Sequence, residues 1–460
     1  MLFQKYSDKE NHLIIIIKDQ MKKKNPLFSF FSSVKLALFT LFLLAVTSII
    51  GTVIPQKESM SWYAQNYSET TARIFQVLSI PDMYNSWWFL GLLGLLASNL
   101  IICSIDRFPG VWRQINADNL ATDPKRIQKM RLSASWTSNK AEETLATELS
   151  DSLSSKGWKA FQRKRDDTLL LFAQKGAMTR TGVYIVHASI LVIFLGAIIG
   201  ELYGFKGSIM LPETQATNTI FQTGTGKSID LGFTVRCDRF DIEFYDSGMP
   251  KAYKSVLTVS EDNKVTVKKE IVVNDPLTYR GITFYQSSYQ GYEDFLLTVT
   301  NQENNETQTV PMPFQQQQEL SKHNARIGII NAEAMGQTIT RMKVWFKDDQ
   351  GPASTFWLKA GDQVTVERPG KKYTIAGKQM YATGLQIAKD PGVWIVYLGC
   401  GLMILGLFVA FFMSHKRIWI LLTQEDNGTT VLVSGSANKN KVGFERIFTS
   451  LSSDLETDTK

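Results

Sequence analysis

Residues 183–200 read VYIVHASILVIFLGAIIG, an apolar run that is interrupted by the polar side chains of His187 and Ser189. An α-helix needs about 20 apolar residues to cross a bilayer, and this run reaches that length when it continues to Tyr203. Three further runs have the same character. The sequence therefore predicts a polytopic α-helical membrane protein with four transmembrane helices, at residues 34–54, 87–105, 183–203 and 393–413.

The first helix follows basic residues, as a signal peptide would, but it is too long for the apolar region of a signal peptide. It also lacks a clear small-residue cleavage site, so we expect the helix to be retained. Met21, followed by KKKNPLF, is a second candidate start, and residues 1–20 are interpreted as an extended start.

The distribution of Lys and Arg predicts the orientation, because cytoplasmic loops carry an excess of these residues. Basic residues precede the first helix, open and close the connection between the second and third helices, and directly follow the fourth. We therefore expect a cytoplasmic N-terminus (1–33), a short extracytoplasmic loop (55–86), a cytoplasmic domain (106–182), an extracytoplasmic domain (204–392) and a cytoplasmic tail (414–460).

Both predicted domains have recognisable secondary-structure patterns. Residues 106–182 contain one strand pattern, an amphipathic helix ending at Gly157 and two more strand patterns, which predicts a small α+β domain. Residues 204–392 are rich in β-branched and aromatic residues between polar turns, which predicts a large, mainly-β domain of sandwich or barrel type. The run QQQQ at 315–318 is expected to be a loop. The β domain has 21 Lys plus Arg and 21 Asp plus Glu, and this neutral balance argues against a nucleic-acid partner.

The sequence also excludes several classes of protein. The cysteines, Cys103, Cys237 and Cys400, form neither a CxxC nor a CxxCH motif, so we expect neither a self-sufficient dithiol reductant nor a c-type cytochrome. P-loop, HExxH and GxSxG motifs are absent as well, which argues against an unassisted hydrolase or ATPase. Cys237 alternates with apolar residues and is expected to face a core, the alternative being a thiol-handling role. Cys103 is expected to be a small buried apolar residue, or else to serve haem or thiol chemistry.

His187 is the candidate site residue, because an ionisable side chain inside a membrane span is costly and is a functional hypothesis by default. Three roles are open: a packing hydrogen bond to Ser189 or Ser98, a proton relay, and an axial ligand to haem iron. A relay usually recruits further ionisable residues within the spans, and apart from His187 none lies well inside a span. By contrast His415 lies in the basic flank after the fourth helix and is expected to mark topology and the membrane interface.

The depth of His187 bears on the ligand role. It lies seven residues after Arg180, or roughly 10 Å along a helix axis, which places it in the inner half of the membrane. One histidine supplies one axial ligand, and the other predicted spans offer no second. A six-coordinate iron would therefore need a ligand from a second copy or from a partner membrane protein.

Several stretches resemble the ResB family, also called CcsB, of System II cytochrome c biogenesis proteins. They are SVKLALFTLFLLAVTSIIGTVIPQ, MYNSWWFLGLLGLLASNLIICSIDRFP, TGVYIVHASILVIFLGAIIG, NDPLTYRGITFYQSSY, TGLQIAKDPGVWIVYLGCGLMILGLF and VLVSGSANKNKVGFE. The resemblance covers Met21 to about Glu445 and rests on the order and spacing of these stretches.

The resemblance implies a subunit of a membrane cytochrome c synthetase in a bacterial cytoplasmic membrane. Proteins of this family pair with a ResC/CcsA-type membrane subunit, carry haem b across the membrane and support its attachment to the CxxCH thiols of apocytochrome c, with a thiol-disulfide reductant as a further partner. His187 matches the family's axial haem ligand, which is paired with a histidine of the partner subunit. The alternative is a membrane-anchored β-ectodomain scaffold without haem.

Overall fold

The computed structural model describes residues 25–165, 168–245, 250–335, 338–425 and 428–459. The extended start interpreted for residues 1–20 lies outside the described residues. The α-helices in the described part of the chain are α1 (Pro26–Phe31), α2 (Val34–Val53), α3 (Met60–Tyr67), α4 (Glu69–Val77), α5 (Trp87–Ile115), α6 (Pro124–Gln128), α7 (Glu142–Ser155), α8 (Gly182–Tyr203), α9 (Val393–Phe412) and α10 (Lys441–Thr459).

The β-strands are named in the same way, in chain order. In the described residues they are β1 (Leu132–Ser138), β2 (Ala160–Arg165), β3 (Thr168–Lys175), β4 (Phe205–Pro212), β5 (Ala216–Gln222), β6 (Ser228–Phe244), β7 (Pro250–Glu261), β8 (Lys264–Ile271), β9 (Leu277–Tyr279), β10 (Ile282–Asn301), β11 (Glu306–Met312), β12 (Gln317–Leu320), β13 (Ala325–Met335), β14 (Thr338–Asp348), β15 (Ser354–Lys359), β16 (Gln363–Arg368), β17 (Lys371–Lys389), β18 (Lys416–Glu425) and β19 (Gly428–Ala437).

Among the described residues, four helices are long and apolar enough to cross a membrane: α2, α5, α8 and α9. The predicted set of four apolar helices is thus confirmed. Helix α5 continues ten residues beyond the predicted end at Ile105, to Ile115, with Pro109 inside it. This extension contains Arg107, which lines a cavity together with residues of α8.

A buried asparagine fixes the start of α2. Asn99 of α5 donates through Nδ2 to the carbonyl oxygens of Phe31 (2.6 Å) and Ser33 (3.0 Å), where α1 ends and α2 begins. The carbonyl of Phe31 is at the C-terminal end of α1 and would otherwise depend on water, whereas the carbonyl of Ser33 also accepts from Ala37 N, the first bond of α2. Elsewhere on the same interface, Leu44 of α2 packs in one apolar cluster with Leu96 and other side chains of α5. The pair α2–α5 therefore has a defined register.

An α+β domain is assembled from two segments of the chain on either side of the β domain in sequence. Its antiparallel sheet has the order β1-β19-β18-β3-β2, so the pair β18–β19 lies between β1 on one side and β3 and β2 on the other. Helices α7 and α10 cover one face, where Leu149, Phe444 and Leu455 are buried among strand side chains. Residues 414–460 were expected to be a cytoplasmic tail, but their described elements β18, β19 and α10 complete the α+β domain that was predicted within residues 106–182.

The region Ala197–Val393 is a second compact unit, and it is mainly β as predicted. It contains a large sheet of order β11-β10-β17-β4-β5-β6-β7-β8 and a four-stranded sheet of order β12-β13-β14-β15. The long strands β10 and β17 pair along their lengths and contribute to two separate hydrophobic cores. The expectation of a loop at 315–318 was wrong in part, because Gln317 and Gln318 pair with β13 in strand β12.

Candidate functional site

Helix α8, which carries His187, packs closely against α9 with the side that faces away from His187. A Cβ atom added at Gly399 would lie 2.6 Å from Ile193 Cγ1, and one added at Gly406 would lie 2.9 Å from the backbone nitrogen of Val186. Small residues at such positions allow helix backbones to approach each other in a membrane. The glycines therefore fix the rotation of α8, which turns His187 away from α9 and toward α5.

The imidazole of His187 is oriented by a hydroxyl group of α5. Ser104 Oγ lies 2.9 Å from His187 Nδ1 and 2.7 Å from the carbonyl oxygen of Leu100. A hydroxyl has one proton, and the carbonyl of Leu100 can only accept, so the Ser104 proton is donated to Leu100. Ser104 then accepts the hydrogen bond that His187 Nδ1–H donates.

This arrangement leaves the other ring nitrogen of His187 unprotonated. Nε2 has no hydrogen-bond partner among the described residues. A metal-binding histidine characteristically donates its second N–H to a polar group, which fixes the tautomer and the ring orientation. His187 is therefore arranged as a neutral imidazole with a free lone pair, the form that binds iron.

His187 lies on the wall of a cavity of about 370 Å³ between α2, α5 and α8. Ligand sites commonly measure about 300–1,000 Å³ and combine apolar walls with a few polar groups. The residues that line the cavity are Val34, Ala37, Asn99, Leu100, Cys103, Arg107, Val111, Arg180, Val183, Tyr184 and His187. The cavity is thus mainly apolar, and its walls carry one imidazole and two guanidinium groups.

Aromatic side chains extend the wall beside His187. The ring of Tyr184 lies edge-on to the imidazole, with the centroids 6.2 Å apart, and edge-on to Phe108, with the centroids 5.1 Å apart. Phe108 in turn stacks on Trp112. Because Phe108 and Trp112 lie on the part of α5 beyond the predicted span, sequence analysis had assigned them no place near His187.

Arg180 connects the cavity to the α+β domain. Its Nε donates to His415 Nδ1 (2.9 Å) and its Nη1 donates to Gln114 Oε1 (2.7 Å). His415 Nε2 lies 2.9 Å from Gln174 Oε1, so the imidazole donates there and is neutral. Burial, together with the nearby Arg180 and Arg417, lowers the pKa of His415 to about 4. His415 was expected to be a flanking interface residue, but the structure shows it buried in this network.

The cysteines occupy three different environments. Cys103 is buried and lines the cavity. Cys237 is fully buried in a β-domain core with Phe233 and Val235, as predicted, and burial with the nearby Glu213 and Asp238 raises the pKa of its thiol to about 12. Cys400 is exposed on α9. Cys237 is therefore a thiol at neutral pH, without the thiolate that exchange chemistry requires.

Ser98 and Ser189 were the predicted hydrogen-bond partners of His187, and neither of them bonds to it. Ser98 donates to the carbonyl of Gly94, and Ser189 donates to the carbonyl of Val186 within its own helix. The partner is Ser104, which directly follows Cys103 near the predicted end of the second span at residue 105. Depth alone would have made Ser104 a candidate as well. No cluster of three or more His, Cys, Asp or Glu side chains that could hold a metal ion occurs in the described residues.

In its described residues the chain thus combines four helices long and apolar enough to cross a membrane, an α+β domain built from two chain segments, and a mainly-β domain between the third and fourth of these helices in sequence. The sequence model of the ResB-like family matches residues 34–379 and 368–449. The chain belongs to the ResB-like family.

Curated relatives agree with this assignment. The cytochrome c biogenesis protein CcsB of Crocosphaera subtropica is 31% identical to this chain, over 92% of this chain and 93% of the relative. The CcsB protein of Trichormus variabilis is 30% identical over 90% of this chain and 89% of the relative. The CcsB protein of Microcystis aeruginosa is 30% identical over 90% of this chain and 92% of the relative. The solved cytochrome c heme lyase CcmF aligns with 78% of this chain and 46% of its own, at 9% identity and a TM-score of 0.25. A TM-score this low does not establish a shared fold.

Proposed function

We propose that this chain acts in cytochrome c maturation, as the subunit of a membrane cytochrome c synthetase that receives haem within the membrane. Membership of the ResB-like family and similarity along most of its length to CcsB proteins support the general role. The observation that carries the haem assignment is the free Nε2 of His187, oriented by Ser104 on the wall of a cavity.

In this proposal haem b is cargo and His187 supplies one axial ligand. The neutral imidazole presents a lone pair to iron, and the apolar side chains around it exclude water from the bound porphyrin. Arg107 and Arg180 supply positive charge at the same cavity for the carboxylate groups of haem. The residues that line the cavity are chemically compatible with haem, since they combine an imidazole for the iron, two guanidinium groups for the carboxylates and apolar side chains for the porphyrin.

The second axial ligand comes from another subunit. Of the four helices that can span a membrane, α8 carries the histidine and the others contain none. A ResC/CcsA-type membrane subunit is the proposed source, so the chain is a non-autonomous part of a haem lyase. Apocytochrome c is the acceptor, and a thiol-disulfide reductant keeps its CxxCH thiols reduced, since Cys237 is unsuited to that task.

The proposed location is a bacterial cytoplasmic membrane, with the β domain outside and the α+β domain inside. The support is the excess of Lys and Arg beside the ends of the spans that lead into the α+β domain. Cysteines introduced at exposed sites test it: Thr225→Cys in the β5–β6 turn and Lys159→Cys before β2. An impermeant maleimide added to intact cells should label the first and not the second. The reverse pattern would contradict the orientation.

The central test is an absorption spectrum of the chain purified with its ResC-like partner. We expect the Soret band to fall in His187→Gly and to recover when imidazole is added. Ser189→Ala is the matched control, because Ser189 is on the same helix and hydrogen-bonds within it. An unchanged haem content and spectrum in His187→Gly would reject the ligand role. A wild-type complex without haem would favour the scaffold alternative.

A further inference from the structure

A second cavity, of about 380 Å³, lies within the α+β domain. Helix α6, the first turn of α10 and the strands β1, β18 and β19 form its walls. Among the residues that line it are Arg126, Arg131, Arg417, Trp419, Ser436 and Lys441. Neither the family assignment nor the His187 site gives this cavity a role.

The charged side chains that line the cavity are all positive. Four lining side chains are cationic, and no acidic side chain lines it in the described part of the chain. Arg131 is paired with Glu445 at 3.0 Å, but Arg126, Arg417 and Lys441 have no carboxylate partner among the described residues. Like charges this close repel one another, so the arrangement favours a bound anion.

Arg417 gives the most specific indication of a ligand. Its Nε is buried and has no hydrogen-bond partner in the described residues, and its guanidinium group lies over the ring of Trp419, 5.1 Å from the centroid. A buried donor without an acceptor is costly, and native structures rarely leave one unsatisfied. Burial, Arg180 and Arg126 also lower the pKa of Arg417, so its charge is held at a cost that an anion would relieve.

The position of the cavity suggests which anion reaches it. Arg417 comes five residues after Phe412, where the spanning helix α9 ends, and it pairs with Ser436 in the strand register. Lys441 begins the 19-residue helix α10, whose N-terminal N–H groups add a positive potential. Guanidinium groups and a helix N-terminus together are well suited to the oxygen atoms of phosphate.

We propose that this cavity binds a phosphate group through Arg126, Arg417 and Lys441. Two sources share this chemistry: the headgroup of an anionic phospholipid in the adjacent leaflet, and a soluble phosphate compound. The proposal is independent of haem binding at His187, so either can fail alone.

The test uses the full chain purified in an uncharged detergent. Unfolding temperature is measured with inorganic phosphate against chloride at equal ionic strength, and in nanodiscs of phosphatidylglycerol against phosphatidylcholine. Ligand that binds the folded state raises this temperature in a concentration-dependent manner. A rise with phosphate identifies a soluble source, and a rise with phosphatidylglycerol alone identifies the headgroup.

Two variants and one control make the result specific to the cavity. Arg126→Gln and Arg417→Gln should weaken the apparent affinity by about tenfold or more, as expected for loss of a charged hydrogen bond. Arg126 is exposed, so its replacement should leave the fold intact. Lys125→Gln removes the same charge from the same helix, outside the cavity lining, and should behave as wild type. No response to either anion, or an equal response in all variants, would overturn the proposal.

Discussion

Ser104 Oγ accepts a hydrogen bond from His187 Nδ1 at 2.9 Å, which joins two membrane-spanning helices at the candidate ligand. The bond sets the tautomer of the imidazole and holds the ring plane relative to the cavity. It also leaves Nε2, the atom proposed to bind iron, without a proton. Ser104 is thus a positioning residue whose removal should change the iron environment without removing the ligand.

Ser104→Ala should keep some haem in the purified complex but bind it about 10- to 100-fold more weakly, the usual cost of losing such a partner. The Soret and α bands should shift as well, because the imidazole is no longer held by its Nδ1 hydrogen bond. Ser104→Thr retains the hydroxyl and should restore the wild-type spectrum. Ser98→Ala is the control on the same helix, since Ser98 bonds to Gly94. A wild-type spectrum and affinity in Ser104→Ala would contradict the positioning role.

Arg107→Gln should reduce haem retention several-fold while leaving the position of the Soret band unchanged. Arg107 lines the His187 cavity, and its proposed partner is a haem carboxylate, which is remote from the iron. Arg113→Gln is the matched control, because Arg113 is on the same helix, exposed and outside the cavity lining. Haem content per complex and its loss during dilution give the measurement. Equal losses in the two variants would indicate a general charge effect.

The spans could be predicted from sequence because length and apolarity alone determine them. The partner of His187 could not, because the rotation of α8 about its axis depends on how Gly399 and Gly406 meet α9. The same limit applies to the α+β domain. Local periodicity identified β1 and β3, but strand pairing across more than two hundred intervening residues has no local signal, so β18 was left outside the domain.

Stability should depend on pH through His415. The folded pKa, about 4, lies below the ordinary value of 6.5, so between these values the unfolded chain binds a proton that the folded chain does not. Stability therefore falls as pH drops below about 6.5, and the full loss, reached below pH 4, is about 3 kcal/mol.

The measurement is the unfolding free energy of the detergent-solubilised chain at pH 7.5 and 5.0, for wild type and His415→Gln. Glutamine can still accept from Arg180 and donate to Gln174, but it does not titrate. The difference between the two pH dependences isolates His415 from the other titrating groups. We expect wild type to lose about 2 kcal/mol more than the variant at pH 5.0. Parallel pH curves would show that folding does not lower the pKa of His415.

Cys237 should be inert toward maleimide in the folded protein at pH 8. With a thiol pKa of about 12, roughly one molecule in ten thousand carries the thiolate, and the side chain is fully buried. Mass spectrometry after brief labelling measures the modified fraction, with the exposed Thr225→Cys variant as the positive control. Cys237→Ala should also support normal cytochrome c maturation. Rapid labelling of Cys237, or failed maturation in the alanine variant, would reopen a thiol role.

Gly399→Ala should destabilise the membrane-spanning part of the chain. The added Cβ would lie 2.6 Å from Ile193 Cγ1 and 3.0 Å from Ser189 O, so α8 must move away from α9. Overpacking of this kind costs about 1–3 kcal/mol, measured as a lower unfolding temperature in detergent. Because α8 carries His187, the displacement should also weaken haem retention in the complex.

Gly401→Ala provides the control for this prediction. Gly401 is two residues away on the same helix, and a Cβ added there has no heavy atom within 4 Å. This variant should unfold within about 0.5 kcal/mol of wild type, as surface substitutions usually do, and should retain haem normally. The contrast between the two alanines tests whether α8 is positioned by the glycine contact itself. If both variants were equally stable, the rotation of α8, and with it the orientation of His187, would have to be set by other contacts.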